Sequence, residues 1–400
     1  MSTPDFSVDL AVVGGCGHVG LPFALMIADR GLDVTLVDVN EEAVDLVNTG
    51  TLPFDEPGAD VVLRRVLDAG RLRATTDPSV VREAEHVVVV IGTPIDEHLN
   101  PDVNAVQQAI TEIADSLVDG QLLVLRSTVY PGVTAMIEQL IARMGIDVDV
   151  AFCPERIAEG QAMTELCELP QIVAARTERA ADRATKLLGV LNDDMVYLEP
   201  EEAELAKLFT NTWRYIKFAT ANQLYMMAND FGLDYERIRS ALTYNYPRAA
   251  DLPRAGFAAG PCLFKDTMQL AAFNNNNFQL GLASVNINEG LPLYVVAQLE
   301  RRFDIAKMTV GILGMSFKAE SDDIRSSLSY KLKRILGFKA ERVLTTDPYV
   351  STDPSIVPLE QVVAESDLLI IGAPHAIYRD LDVKVPIIDI WNIRGEGVRV

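Results

Sequence analysis

Few residues of this chain are equipped for covalent chemistry, and one stands out by its neighbours. Cys262 follows the approach Ala259-Gly260-Pro261 and stands three residues before Lys265-Asp266. The thiolate is the reactive form of cysteine, and a nearby ammonium favours it. Cys262 therefore reads as a nucleophile with charged groups beside it. The competing reading is a small buried residue followed by a solvated ion pair. Lys207 and Asn211 are a second candidate pair, since a spacing of four on a helix puts both on one face. There the alternative is a pair on a solvated surface.

A different chemistry is written near the N-terminus. The apolar run 8–13 predicts a strand ending in Gly14-Gly15-Cys16-Gly17-His18-Val19-Gly20, followed by a helical pattern through Leu21, Leu25 and Ala28. A second strand, 33–37, ends in Asp38, eighteen positions after Gly20. Strand, Gly15-x-Gly17-x-x-Gly20, helix, strand and acid together make the dinucleotide-binding fingerprint. Gly15 is expected to allow the tight turn, Gly17 to admit the pyrophosphate, and Gly20 to let helix and strand pack closely. The pyrophosphate belongs on the helix N-terminus. Asp38 can accept from the ribose hydroxyls and repels a 2′-phosphate, so NAD is expected rather than NADP.

These residues need elements to position them. Parallel-type strands are expected at 86–91, 121–126, 147–151, 171–175 and 195–198, with helices such as 104–117 and 134–144 between them. That alternation predicts a doubly wound α/β sheet, which binds ligands outside the carboxyl ends of its strands. Three such ends carry polar turn residues: Gly92-Thr93-Pro94, Ser127-Thr128-Val129-Tyr130-Pro131-Gly132 and Cys153-Pro154-Glu155. They are expected to converge on the nicotinamide edge. From Pro200 the pattern becomes helical. Over 201–229 an apolar stripe of Leu205, Leu208, Phe209, Trp213, Ile216 and Phe218 is expected; 234–242 and 279–303 continue as helix. An irregular stretch, 243–257, holds Tyr244, Tyr246, Arg248 and Arg254, and 274–277 is a polar loop. Strands at 308–314, 342–345, 368–371 and 387–390, with a helix at 328–336, form a smaller α/β unit whose first loop carries Phe317-Lys318 and Arg325. The expected domains are a Rossmann domain at 1–199, a central helical domain at 200–304 and a small Rossmann-like α/β domain at 305–400.

Composition limits the partners. Fifty-seven acids against 35 Lys and Arg give a net charge of −22. Such a surface repels nucleic acid and anionic membranes, and an anionic substrate then needs a local cluster of cations. No apolar run reaches the length of a membrane span, and the N-terminus does not read as a signal peptide. Four scattered cysteines with no CxxC pair, and four histidines, argue against a disulfide framework or a structural zinc site, so a reducing cytoplasm is expected.

The fingerprint, the Gly-Thr-Pro, Ser-Thr-Val-x-Pro-Gly and Pro-Glu loops, Lys207-x-x-x-Asn211, Gly260-x-Cys262-x-x-Lys265-Asp266 and Phe317-Lys318…Asp322-Asp323-x-Arg325 occur in one order. The chain thereby resembles the UDP-glucose/GDP-mannose dehydrogenases over essentially its whole length. The resemblance implies two successive NAD-dependent oxidations of a sugar C6 alcohol to a carboxylate, for polysaccharide precursors, in a homodimer built on the central helices. It implies that Cys262 forms a thiohemiacetal and then a thioester, with Lys207 and Asn211 donating to the oxyanion. Asp266 and Glu155 handle protons or position water, and Thr128 holds that water. The cofactor is expected against Gly15, Gly17, His18, Val19, Gly20, Asp38, Thr93 and Thr128. Lys265 stabilises the thiolate or binds a ligand. UDP falls to Phe317, Lys318 and Arg325, and the sugar to Glu155, Arg156, Lys207, Asn211, Phe257 and Gly260. A substrate-facing arginine across the dimer is Arg248 or Arg254.

Three positions depart from the family pattern. Ala259-Gly260-Pro261 stands where Gly-Gly-x is usual, Phe264 where proline is common, and Cys153 where asparagine precedes Pro-Glu. Lys265-Asp266 favours the UDP-glucose branch and Arg248 the UDP-N-acetylmannosamine branch. A two-electron dehydrogenase of the 3-hydroxyacid or 6-phosphogluconate type, and a nucleotide-sugar-binding protein without activity, are the other classes considered. NADH formed per sugar separates the three: two, one or none.

Overall fold

A computed structural model describes residues 6–96, 101, 102, 104–258, 260–398 and 400. Ala259, in the approach to Cys262, lies outside the described residues, as do residues 1–5. The chain divides into two compact units, Met1–Phe209 and Thr210–Val400.

In the first unit the order is β1 (Val8–Val13), α1 (Gly20–Asp29), β2 (Val34–Val37), α2 (Glu41–Asn48), α3 (Ala59–Asp68), β3 (Leu72–Thr75), β4 (Ala84–Val89) and α4 (Ala105–Ile113). Then come β5 (Leu122–Leu125), α5 (Val133–Met144), β6 (Asp149–Phe152), α6 (Ala162–Glu168), β7 (Gln171–Ala174), α7 (Glu178–Gly189) and β8 (Met195–Leu198). They build one eight-stranded sheet of order β3-β2-β1-β4-β5-β6-β7-β8. Strands such as Leu122–Leu125 are apolar throughout because helices cover both faces. Alternate residues of β1 serve opposite cores: Leu10 and Val12 join one, Ala11 and Val13 the other.

The expectation of parallel strands fails at one joint. β6 and β7 pair antiparallel, so β7 and β8 run against the rest. The 153–170 connection holds only the seven-residue α6, and an antiparallel return needs no crossover of sheet length. β4 also starts earlier than read, at Ala84.

α8 (Pro200–Asp230) carries residues of both units. After it come α9 (Tyr235–Thr243), α10 (Pro261–Phe273), α11 (Gln279–Arg302), β9 (Thr309–Leu313), α12 (Leu328–Leu336), β10 (Arg342–Thr346), α13 (Leu359–Glu365), β11 (Leu368–Ile371) and β12 (Ile387–Ile388). The small sheet is parallel, in the order β10-β9-β11-β12. Tyr225, Leu291 and Val295 from the helices share one core with Val310, Ile312 and Leu332 around that sheet.

The stripe expected on α8 is only partly the buried face. Leu208 is buried, but Phe209 and Trp213 are 53% and 57% exposed. Asn211, Thr212, Tyr215 and Asn222 point inward instead. Asn211 and Asn222 tolerate burial because each finds hydrogen-bond partners there. The polar residues take the inner positions, and these two aromatics are displaced outward.

Candidate functional site

The glycine loop between β1 and α1 has the form of an anion cradle. The left-handed residue of its turn is Gly14, at φ 76°, not Gly15 as the spacing suggested; a Cβ on Gly14 would lie 2.1 Å from the Val90 carbonyl oxygen. Gly20 packs so closely that a Cβ would come 2.6 Å from the Gly14 oxygen. At Gly17 a Cβ would meet only the Gly14 oxygen, at 3.7 Å, which leaves the loop open on that side. α1 has no side-chain cap and no acid in its first turn. Its leading amides therefore present partial positive charge to an incoming anion. Asp38 ties this loop to the end of β2: its two oxygens accept from the amides of Cys16 (2.9 Å) and Asn40 (3.1 Å). Burial, and secondarily Asp38, push the Cys16 thiol up to about 12, so that cysteine is inert. His18 and Val19 are half-buried, and the His18 ring lies 4.0 Å from that of Phe54.

β4, β5 and β6 are neighbours, so the three strand-end loops adjoin. Thr93 Oγ1 donates to the Thr128 carbonyl at 2.6 Å, and the Ile91 amide donates to Ser127 Oγ at 2.8 Å. Glu155 is buried and paired with the fully buried Arg126; its other oxygen accepts from the amides of Arg156 (2.6 Å) and Ile157 (3.0 Å). Burial opposes the charge of Glu155. Arg126 and the two amides outweigh it and hold the carboxyl below its ordinary range. An acid engaged in this way is suited to fixing the loop and orienting a polar group rather than to taking a proton. The Arg156 guanidinium donates to the Pro170 carbonyl.

In the second unit Cys262 occupies the first turn of α10. Gly260 precedes the helix at φ 111° and Pro261 opens it, a position where proline's missing N–H costs nothing. Cys262 is exposed there. The positive end of the helix dipole favours an anionic sulfur at such a place. A Cβ on Gly260 would meet the Phe317 ring at 2.8 Å, so the loop after β9 reaches the cysteine turn. Further along α10, Asp266 is completely buried; it accepts from Asn211 Nδ2 at 2.5 Å and pairs with Lys265 at 3.0 Å. Lys207 precedes Asn211 by one turn of α8 and is half-buried.

The buried Phe257 sits in a segment that is clamped. Asn222 accepts from the Gly256 amide at 2.9 Å and donates to its carbonyl at 3.1 Å, while the Trp391 indole leaves no room for a side chain at 256. The cations expected to meet substrate have partners of their own. Lys318 lies 5.6 Å from the Phe317 ring centroid, and Arg325 is held in a fork by Asp323. Arg248 packs on Tyr246, and Arg254 stands 3.6 Å from Glu236.

Sequence reading missed Arg126, Glu56, Asn222 and Asp347. Arg126 had a signal, a lone cation closing an apolar strand. Glu56 had none; it is buried and accepts from the amides of Gly160 and Ala162, both at 2.8 Å. Asp347 follows β10 as Asp38 follows β2, and accepts from the amides of Met315 (2.6 Å) and Ser316 (3.0 Å). The small sheet thus repeats the acid-to-glycine-loop tie of the large one.

Models of the UDP-glucose/GDP-mannose dehydrogenase family match along the chain: the NAD binding domain at residues 9–190, the central domain at 201–289 and the UDP binding domain at 311–395. A UDP-N-acetyl-D-mannosamine dehydrogenase of Pyrococcus horikoshii is 31% identical, covering 96% of this chain and 92% of its own. An NDP-N-acetyl-D-galactosaminuronic acid dehydrogenase of Ralstonia nicotianae is 28% identical, with 92% of each covered. Among solved structures, a UDP-glucose dehydrogenase of Pyrobaculum islandicum superposes with a TM-score of 0.90 at 26% identity, covering 100% of this chain and 98% of that one.

Proposed function

The chain belongs to the UDP-glucose/GDP-mannose dehydrogenase family, and we propose that it oxidises the C6 alcohol of UDP-N-acetylmannosamine or UDP-glucose to the carboxylate. The observation that carries this reading is Cys262, exposed at the N-terminus of α10 with Lys265, Asp266 and Asn211 behind it. NAD is the cofactor; the uncapped α1 terminus, the open side of Gly17 and Asp38 fit its pyrophosphate and ribose. When bound, NAD supplies a two-electron oxidant, and two equivalents account for the four electrons between alcohol and carboxylate.

The protein's own residues do the rest. The Cys262 sulfur adds to the carbon of the C6 aldehyde, breaking its π bond and leaving an oxyanion. One N–H of the Asn211 amide is committed to Asp266; the other, with the Lys207 ammonium, is our assignment for donors to that oxyanion. Loss of the C6 hydrogen as hydride leaves a thioester on Cys262. Water then attacks the thioester carbon, the C–S bond breaks, and the carboxylate leaves with the thiolate restored, the two protons of the water passing to solvent. Thr128 and Glu155 are assigned to hold that water, and Asp266 to orient Asn211 and Lys265. Phe317, Lys318 and Arg325 are assigned to UDP, and Arg248 to the sugar from a second subunit.

The finer parts of the reading have separate support. The matched segments favour domains at 1–199, 200–304 and 305–400. Trp213, Met227, Phe231 and Leu293 are each more than half exposed on or beside α8 and α11, which suits a homodimer through the central helices. No described helix is long and apolar enough to cross a membrane. None of the four cysteines is in a disulfide, which suits a reducing cytoplasm. A role in supplying polysaccharide precursors follows from the product class.

The test is to count NADH per sugar with UDP-glucose, UDP-N-acetylmannosamine, UDP-N-acetylglucosamine and GDP-mannose. The expected ratio is two with a UDP-sugar. Cys262→Ser is expected to make no carboxylate and to bind NAD normally. Acid production at the native rate in that variant rejects the nucleophile.

A further inference from the structure

The loop bearing Thr128 and the helix bearing Lys207 are joined by one buried side chain that no motif singles out. Glu204, on α8 three residues before Lys207, is 1% exposed. Its carboxylate accepts three hydrogen bonds: from the Gly132 amide to Oε2 at 2.6 Å, from the Thr134 amide to Oε1 at 2.8 Å, and from Thr134 Oγ1 to Oε1 at 2.6 Å. Two of these donors are backbone amides of the opening turn of α5. The residue at the N-cap of α5 is Gly132, at φ 98°, which has no side chain with which to cap its own helix. A residue 70 positions away performs that task.

Local capping would serve α5 with a single serine or aspartate at its start. Burying a carboxylate from another helix is costly unless it is well hydrogen-bonded. Here three donors are satisfied, and the result is a fixed offset between α5 and α8. The same loop is anchored at its other end, where the Thr128 carbonyl accepts from Thr93 and Ser127 Oγ accepts from Ile91. One hydrogen-bonded path therefore runs from the end of β4, through the 127–134 loop, to the first turns of α8. A second tie between the helices is exposed: Arg176 bridges Glu138 on α5 and Glu201 on α8.

We propose that Glu204 is a positioning residue for the oxidation, setting the Lys207 turn of α8 against the Thr128 loop. The inference rests on the functional reading above, in which Lys207 serves the oxyanion and Thr128 the water. Glu204→Gln keeps size but turns an N–H₂ group toward donors, breaking one end of the latch. With the full-length protein, NAD and the UDP-sugar that the native enzyme turns over, kcat of this variant should fall about tenfold to a hundredfold. NADH per sugar should drop below two as aldehyde escapes to a semicarbazide trap. Kd for NAD, read by fluorescence, should change by less than kcat does, because the glycine loop and Asp38 that take the pyrophosphate and ribose are untouched and only the Thr128 loop shifts. Arg176→Ala loosens the same two helices at the surface and should change kcat by less than about twofold.

A merely structural cap lowers thermal stability while each folded molecule still turns over normally and yields two NADH. That result for Glu204→Gln overturns the proposal, as does an Arg176→Ala defect of equal size. If Glu204→Gln does not fold, Thr134→Val removes a single donor; an unchanged kcat there overturns the proposal and a several-fold fall supports it. If the native protein produces no NADH with any of the four nucleotide sugars, the functional reading fails first and the positioning role fails with it.

Discussion

Replacing Asn211 by aspartate puts the buried pair on α8 and α10 under a load that can be worked out. The Asn211 amide nitrogen is 2.5 Å from an Asp266 oxygen, and the residues are 5% and 0% exposed. Asn211→Asp sets a second carboxylate at that distance, so one of the two must carry a proton. With an ordinary aspartate near 3.9, protonation at pH 7 costs about 4 kcal/mol. The O–H···O bond then formed returns about 1 kcal/mol. A loss of about 3 kcal/mol at pH 7 is expected, or about 6–12 °C in the melting of a unit the size of Thr210–Val400. The sign with pH follows from linkage. The shared proton is bound more tightly in the folded variant than in the unfolded chain, so the variant keeps its stability below about pH 4 and loses it as pH rises. Between pH 7 and 5 the deficit should shrink by about 1.4 kcal/mol per unit. Calorimetry at pH 5, 6 and 7 measures it. The double variant Asn211→Asp/Asp266→Asn exchanges donor and acceptor and should recover more than half of the loss. A deficit independent of pH, or a double variant no more stable than the single one, refutes the reasoning.

Other expectations follow from single contacts. Gly260→Ala forces a side chain into φ 111° and against the Phe317 ring, costing about 1–3 kcal/mol and lowering kcat; unchanged melting would show that the turn relaxes freely. Arg126→Met strands Glu155 in the interior at about 3–5 kcal/mol, measured by denaturant titration. The depressed Glu155 carboxyl contributes stability above its unfolded pKa, about 4.3, and loses it as pH falls, so the acid limb of the native stability profile should flatten in that variant. At a net charge of −22, raising salt from about 0.1 M to about 1 M shortens the screening length from about 10 Å to about 3 Å and should raise the melting temperature; a fall with salt contradicts self-repulsion as the dominant surface effect.

Much of the site was legible because its glycines, prolines and strand ends are punctuation with a local cause. Gly15-x-Gly17-x-x-Gly20 and Asp38 located the glycine loop and its tie to β2 from spacing alone, although the left-handed turn belongs to Gly14, whose neighbour Val90 directly follows another strand, β4. The three strand-end loops were expected to converge and do adjoin, because β4, β5 and β6 are consecutive in the sheet. The helix at Cys262 went unread: Pro261 is a start signal, but Leu263, Phe264 and Met268 show little amphipathic pattern in a segment buried on several sides. The outward turn of Phe209 and Trp213 was also hidden, since the inner positions went to asparagines whose partners lie 55 and 34 residues away.

The deepest omission concerns the acids. Net charge treats 57 carboxylates as one population and places them at the surface. Glu56, Glu155 and Glu204 are instead buried, and each accepts backbone amides of a segment carrying expected site residues or leading from them: 160–162, 156–157 and 132–134. Such segments lack the regular ladders that satisfy amides in helices and strands, and an unpaired buried amide is costly. A carboxylate supplies several acceptor sites at one point, which no neutral side chain matches. The irregular loops of this sheet can therefore hold side chains such as Thr128 and Arg156 in fixed places because acids distant in sequence close their open amides. That dependence is non-local, which is why composition and spacing could not show it.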